Sequence, residues 1–185
     1  MNYPATFNRL VAGIIQREGG FVDHPDDSGG ATNWGITERL ARKHGYQGHM
    51  RDLTQDEARR IYKLEFWDPL RLDQVVLLSD RIAEELFDTS VNVGQVPAGS
   101  WLQRCLNVNN LKGTIYPDLK VDGQLGPVTL RALEAYLKRR QSERGELILL
   151  RQLNSLQGAF YISLAERREK DESFVFGWFA HRVVI

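Results

Sequence analysis

An apolar stripe that ends in an acid and is then cut off by two glycines constrains this chain more than any other feature. Phe7, Leu10, Val11, Ile14 and Ile15 recur at helical spacing, and the next step of three or four residues lands on Glu18. Gly19-Gly20 stops the helix, so Glu18 falls in its last turn, at the negative end of the backbone dipole. Partial burial on the stripe and the dipole both oppose ionisation, which suits a general acid working near neutral pH. The plainer reading is an exposed Glu at a frayed helix end; position on the apolar face favours the first.

After the glycines come Asp23, Asp26 and Asp27, then Ser28-Gly29-Gly30, a polar run that cannot continue a helix and reads as turns or a short hairpin. It brings several carboxylates close to Glu18. One acid that keeps its proton and one ionised carboxylate in a hydrated loop are what glycoside hydrolysis uses: proton donation to the leaving oxygen, with a base or nucleophile opposite. Thr32, at the end of the loop, is placed to hold the attacking water, and Trp34 offers an indole face on which a sugar ring can stack or, equally, a core side chain. A calcium loop of the EF-hand type is excluded, because the position that needs a bidentate Glu holds Trp34. A solvated turn accounts for Asp23 and for one of Asp26 and Asp27.

The run Glu18-Gly-Gly-Phe-Val-Asp-His-Pro-Asp-Asp-Ser-Gly-Gly-Ala-Thr-Asn-Trp-Gly-Ile-Thr37 resembles the signature of glycoside hydrolase family 108, the phage and prophage endolysins (N-acetylmuramidases) once called secretion activators. Ser28 stands where that signature usually has Pro. The resemblance implies a lysozyme-like α-helical fold, Glu18 as catalytic acid, and a substrate-binding contribution from Thr37 beside Trp34. A looser similarity to phage-type lysozymes pairs the acid with an Asp nine residues on, here Asp27; Thr32 then follows one residue early, which leaves Asp26 as the alternative partner. In the family a stretch similar to Asp88-x-x-x-Asn92-x-Gly94 lines the site; a satisfied polar edge is an equally good reading of that pair.

The remainder reads as helical scaffold. Thr6 is placed to cap the first helix, Thr37 a second running to Gly45, and Thr54-Gln-Asp-Glu57 forms a capping box for a third. Leu77 to Asn92 reads as a central buried helix, followed by one around Trp101 to Val108. Leu119 to Tyr136 carries Asp122-Gly123-x-x-Gly126-Pro127-x-Thr129, which resembles peptidoglycan-binding modules; physically it is a turn needing two glycines with Pro127 early in a helix, and a structural role is favoured because no exposed aromatic pair accompanies it. A long helix from Glu146 carries Leu149, Leu153, Leu156, Phe160 and Leu164 on one stripe, and Trp178 and Arg182 in the tail read as packing. The fold expected is mainly α: a lysozyme-like catalytic region over 1–94 with a small loop or hairpin at the active site, and a peptidoglycan-binding-like helical lobe over 95–185, packed into one unit.

Lys plus Arg and Asp plus Glu are equal at 24 each, so no basic field points to nucleic acid. Cys105 is alone and sits among Trp101, Leu102 and Leu106, a buried thiol. The four His are scattered without ligand spacing, and no metal or other cofactor is expected. No signal sequence or membrane span is legible, so the protein is expected to stay in the cytoplasm until it reaches the wall; the endolysin resemblance implies passage through a lesion made by a holin-type membrane protein. The function expected is peptidoglycan hydrolysis at the β-1,4 bond between N-acetylmuramic acid and N-acetylglucosamine. Lytic transglycosylase chemistry using Glu18 alone, and a non-catalytic wall-binding or secretion-assisting role, are the alternatives.

Overall fold

Most of the chain follows the helical period read from its sequence. The structure, a computed structural model, describes residues 4–23 and 30–183. It divides into two compact units, Met1–Asp68 and Pro69–Ile185.

In the first unit, α1 spans Ala5–Glu18 and buries Phe7, Val11, Ile14 and Ile15. Phe7 meets Trp67 edge-on with ring centroids 5.2 Å apart. Thr6 is not the cap expected of it: the helix starts at Ala5 behind Pro4, and Thr6 is buried inside the first turn. Gly19 ends the helix with φ 71°, a left-handed conformation that glycine adopts without strain. Strands β1 (Thr32–Asn33) and β2 (Ile36–Thr37) pair antiparallel, Thr32 opposite Thr37 and Asn33 opposite Ile36.

Helix α2 (Glu38–Lys43) is capped by the Thr37 hydroxyl, which accepts from the Leu40 amide at 3.3 Å. Helix α3 (Gln55–Tyr62) is capped by Thr54, accepting from the Glu57 amide at 3.2 Å. The Glu57 carboxylate takes the Arg60 guanidinium at 2.6 Å, on the helix's own surface. A π-helical turn, Lys63–Trp67, continues α3, so that Ala58, Ile61, Tyr62 and Trp67 all enter the core.

In the second unit the helix expected from Leu77 to Asn92 starts three residues later, and a short helix precedes it. Helix α4 (Leu72–Val76) stops, Leu77 is 83% exposed, and α5 (Asp80–Asn92) starts afresh under Ser79, whose hydroxyl accepts from the Ile82 amide at 3.1 Å. The serine hydroxyl takes the first free amide of the helix, and that local cap sets its start at Asp80 rather than Leu77. Helix α5 buries Ile82, Ala83, Leu86 and Phe87 against α4, α6 (Gln95–Asn109) and α8 (Glu143–Arg167). Helix α7 (Pro127–Arg139) begins on its proline and turns Leu130, Leu133 and Leu137 inward. Helix α9 (Glu172–Arg182) lies on α8, with Trp178 stacked on Tyr161 at 4.9 Å. No helix among the described residues is long and apolar enough to cross a membrane.

The Asp122-Gly123 turn is tied internally. The Gln103 side chain, buried in α6, accepts from the Asp122 and Gly123 amides at 2.9 and 2.8 Å and donates to the Asp122 carboxylate and the Gln124 carbonyl at 3.0 Å each. Gly99 faces the Gly123 carbonyl so closely that a Cβ has no room there. The polar groups that make this motif look like a ligand loop are engaged in closing it on α6.

Candidate active site

The hairpin that carries Thr32, Trp34 and Thr37 turns on two residues only. Trp34 and Gly35 have φ values of 55° and 74°, the two positive values that a type I′ turn demands. Glycine meets that demand freely; a tryptophan resists it by about 1–2 kcal/mol. Three contacts hold Trp34 there. Its indole N–H donates to the Leu53 carbonyl at 2.8 Å, its own carbonyl accepts from the Tyr62 hydroxyl at 3.2 Å, and the preceding Asn33, buried, donates to the Met50 carbonyl at 2.7 Å. The turn expected among the glycines of 28–30 falls outside the described residues; the hairpin turn seen is five residues further on.

Glu18 meets the tip of this turn. A Cβ at Gly35 would lie 3.0 Å from Glu18 Cγ and 3.4 Å from its Cβ, so the methylenes of the acid rest on the bare glycine backbone. The Tyr62 hydroxyl crowds the same point. Burial, with the negative charge of Glu18 next in weight, pushes the Tyr62 phenol well above its ordinary range. The acid is nevertheless exposed, which corrects the expected partial burial on the apolar stripe. Burial of the stripe ends at Ile15; beyond it Gly35 and the Tyr62 hydroxyl lie close to the stem of Glu18.

Val22 and Thr32 exchange backbone hydrogen bonds of 2.8 Å in both directions, an isolated bridge that ties together the two ends of the acidic loop. Asp26 and Asp27, the partners expected for Glu18, lie within that loop and outside the described residues. Thr32 stands at its exit, partly exposed, with its side chain on the strand face opposite the buried Asn33 and Ile36. Thr37 shares that face, but its hydroxyl oxygen already accepts from Leu40 as the cap of α2.

Trp34 is partly exposed and lines an open groove with Ile15, Gly19, Gln16, Gln55 and Arg59. Asp88 and Asn92 belong to the second unit. Asp88 pairs with Arg182 at 3.5 Å, and the Asn92 amide donates to the Asp88 carbonyl at 2.7 Å, an (i, i+4) bond within α5. Gly35, Tyr62 and Arg59 were not singled out from the sequence. Gly35 alone had a signal, since a glycine preceded by Asn-Trp between two short β-prone pairs marks a two-residue hairpin. Tyr62 acts through Trp34, 28 positions away, and Arg59 only shares a groove with it, which no local pattern encodes.

Residues 11–94 match the family model described as Glycosyl hydrolase 108, and residues 97–183 match one described as Predicted Peptidoglycan domain. The first match runs beyond the first compact unit to the end of α5. A solved structure, that of Brucella abortus SagA, is similar at 24% identity with a TM-score of 0.67, covering 95% of this chain and 88% of that one. That likeness is one of fold, mainly α and lysozyme-like. No curated protein matches the chain.

Proposed function

With residues 11–94 belonging to the glycosyl hydrolase 108 family and residues 97–183 forming a peptidoglycan domain, this chain is a peptidoglycan hydrolase, and we propose that it is a muramidase with Glu18 as its general acid. Glu18 protonates the oxygen leaving in the β-1,4 bond between N-acetylmuramic acid and N-acetylglucosamine. Asp27 or Asp26 activates water or stabilises charge on the opposite side of the sugar, and Thr32 positions the water. Trp34 supplies the face on which a sugar ring stacks, with Thr37 as a further substrate contact.

The observation that carries this reading is the seating of Glu18 on Gly35. The helix end and the hairpin tip hold its stem while its exposure leaves the carboxyl within reach of a glycosidic oxygen. The Val22–Thr32 bridge supports it further, since it anchors the aspartate loop at both ends beside the acid. Passage to the wall through a holin-type lesion belongs to the same proposal, on the endolysin resemblance of residues 18–37.

Glu18→Gln keeps the shape and removes the transferable proton. Purified walls should clear with the wild-type chain and stay turbid with the variant, with a loss of at least about a hundredfold in rate. Equal clearing would end the proposal for Glu18. Mass spectrometry of the products separates the muramidase, which leaves reducing muramic acid ends, from a transglycosylase, which leaves anhydro ends.

A further inference from the structure

The groove beside the hairpin contains a cation that the site described above does not use. Gly19 follows directly on Glu18, and Trp34 directly precedes the glycine on which Glu18 rests, so groove and acid adjoin along both stretches of chain. Arg59, on α3, lines it and is partly buried. Its neighbour Arg60 is engaged twice, with the Glu57 carboxylate at 2.6 Å and the His44 carbonyl at 2.8 Å. The Arg59 side chain makes no hydrogen bond or ion pair with any described residue, and no acidic residue among the described ones lines the groove.

A guanidinium withdrawn in part from water, with five donors in a planar fork and no acceptor of its own, is matched by a carboxylate from outside the chain. The rest of the lining specifies what that carboxylate is attached to. Ile15 and the Trp34 indole offer apolar surface for a ring face or aliphatic stem, and the exposed Gln16 and Gln55 carry amides suited to acetamido or peptide groups. Within peptidoglycan, acetamido and carboxyl groups come together on muramic acid and the peptide it bears.

We propose that this groove is a subsite for the carboxylate-bearing substituent of a muramic acid unit, with Arg59 as its bidentate anchor and Trp34 as its apolar wall. The proposal rests on the reading of this chain as a peptidoglycan hydrolase and adds to it a means of recognising muramic acid over a neutral sugar. Two sources supply the same chemistry: the stem-peptide carboxylates, or the lactyl carboxylate of a muramic acid whose stem has been removed.

The test is a calorimetric titration of the full chain carrying Glu18→Gln with three soluble wall fragments: native, with carboxyls capped as neutral amides, and with stems removed by an amidase. Adding Arg59→Gln should weaken binding of the native fragment, the stem-free fragment or both by about tenfold to a hundredfold. It should change nothing with the capped fragment. An Arg59 effect on the native fragment, whose lactyl carboxyl is tied up in the amide to the stem, assigns the stem carboxylates; an effect confined to the stem-free fragment assigns the lactyl carboxylate.

Gln55→Glu provides a second route that removes nothing from the helix. The new carboxylate, at the first position of α3 and four residues before Arg59, occupies the guanidinium from within and favours the helix end, so it should reproduce the loss of binding without loss of fold. The proposal is overturned if the parent chain binds neither the native nor the stem-free fragment, if Arg59→Gln binds both as the parent does, or if the variant loses the same factor on the capped fragment. Failure of the Glu18 assignment shows separately, as wall cleavage that survives Glu18→Gln, and leaves the ratio between Arg59 variants readable.

Discussion

Gly35 stands where a side chain would strike Glu18: a Cβ at this position lies 3.0 Å from Glu18 Cγ, on a backbone already turned to φ 74°. Gly35→Ala must therefore both accept a left-handed conformation and displace the acid or the Tyr62 hydroxyl. A loss of about 2 kcal/mol in unfolding free energy is expected, from backbone strain plus overlap. Wall-clearing rate should fall further than stability explains when measured well below the melting transition. A variant as active and as stable as wild type would mean that the glycine does not set the position of Glu18.

Tyr62 donates its hydroxyl to the carbonyl of Trp34 at 3.2 Å, across the same turn. Tyr62→Phe removes that donor and relaxes one of the restraints on a tryptophan in a left-handed conformation. Urea unfolding should give a lower midpoint with unchanged slope, a loss of about 1 kcal/mol. An unshifted midpoint would show that the bond contributes nothing.

Glu85, on α5, accepts from the Asn154 amide at 3.0 Å and is lifted to about 7, first by burial and then by the charge of Asp88. The folded state thus holds a proton that the unfolded chain releases at lower pH. Stability from this group is complete below the ordinary Glu value, declines as pH rises toward about 7, and is level above. Glu85→Gln should remove that decline and raise stability at pH 8 by on the order of 2 kcal/mol, with little change at pH 4. Thermal melts of both proteins across that range provide the check; parallel profiles would show that Glu85 does not carry the slope.

Gln103 closes the Asp122-Gly123 turn with both ends of its amide. Gln103→Leu fills similar space and leaves two backbone amides without their acceptor. A loss of about 3 kcal/mol or more is expected in urea unfolding. If the turn acted chiefly as a ligand loop, the variant would lose wall binding while keeping its stability.

The site was legible in the sequence where a residue is defined by near neighbours. Gly19 ends α1, Thr37 caps α2, Thr54 caps α3 and Pro127 opens α7, each through groups within four residues along the chain. Apolar periodicity likewise found the buried faces of α1, α3 and α7. It placed the start of α5 at Leu77, three residues early, because the Ser79 hydroxyl that caps the helix gives no apolar signal. It also missed the polar face of α8, where Asn154, Gln157 and Tyr161 are buried, because an apolar count sees no signal in an amide.

The sequence by itself determined the helical architecture and placed an acid at the end of α1, since helix starts, stops and stripes arise from interactions a few residues long. Only the tertiary structure decided that Glu18 is exposed on a stem held by Gly35, that Trp34 is kept in a left-handed turn by Leu53 and Tyr62, and that Gln157 meets Thr89. Those partners are separated by 17 to 68 residues. Whether a given side chain is buried, strained or paired depends on which distant surface reaches it, and that is fixed by packing the helices, not by forming them.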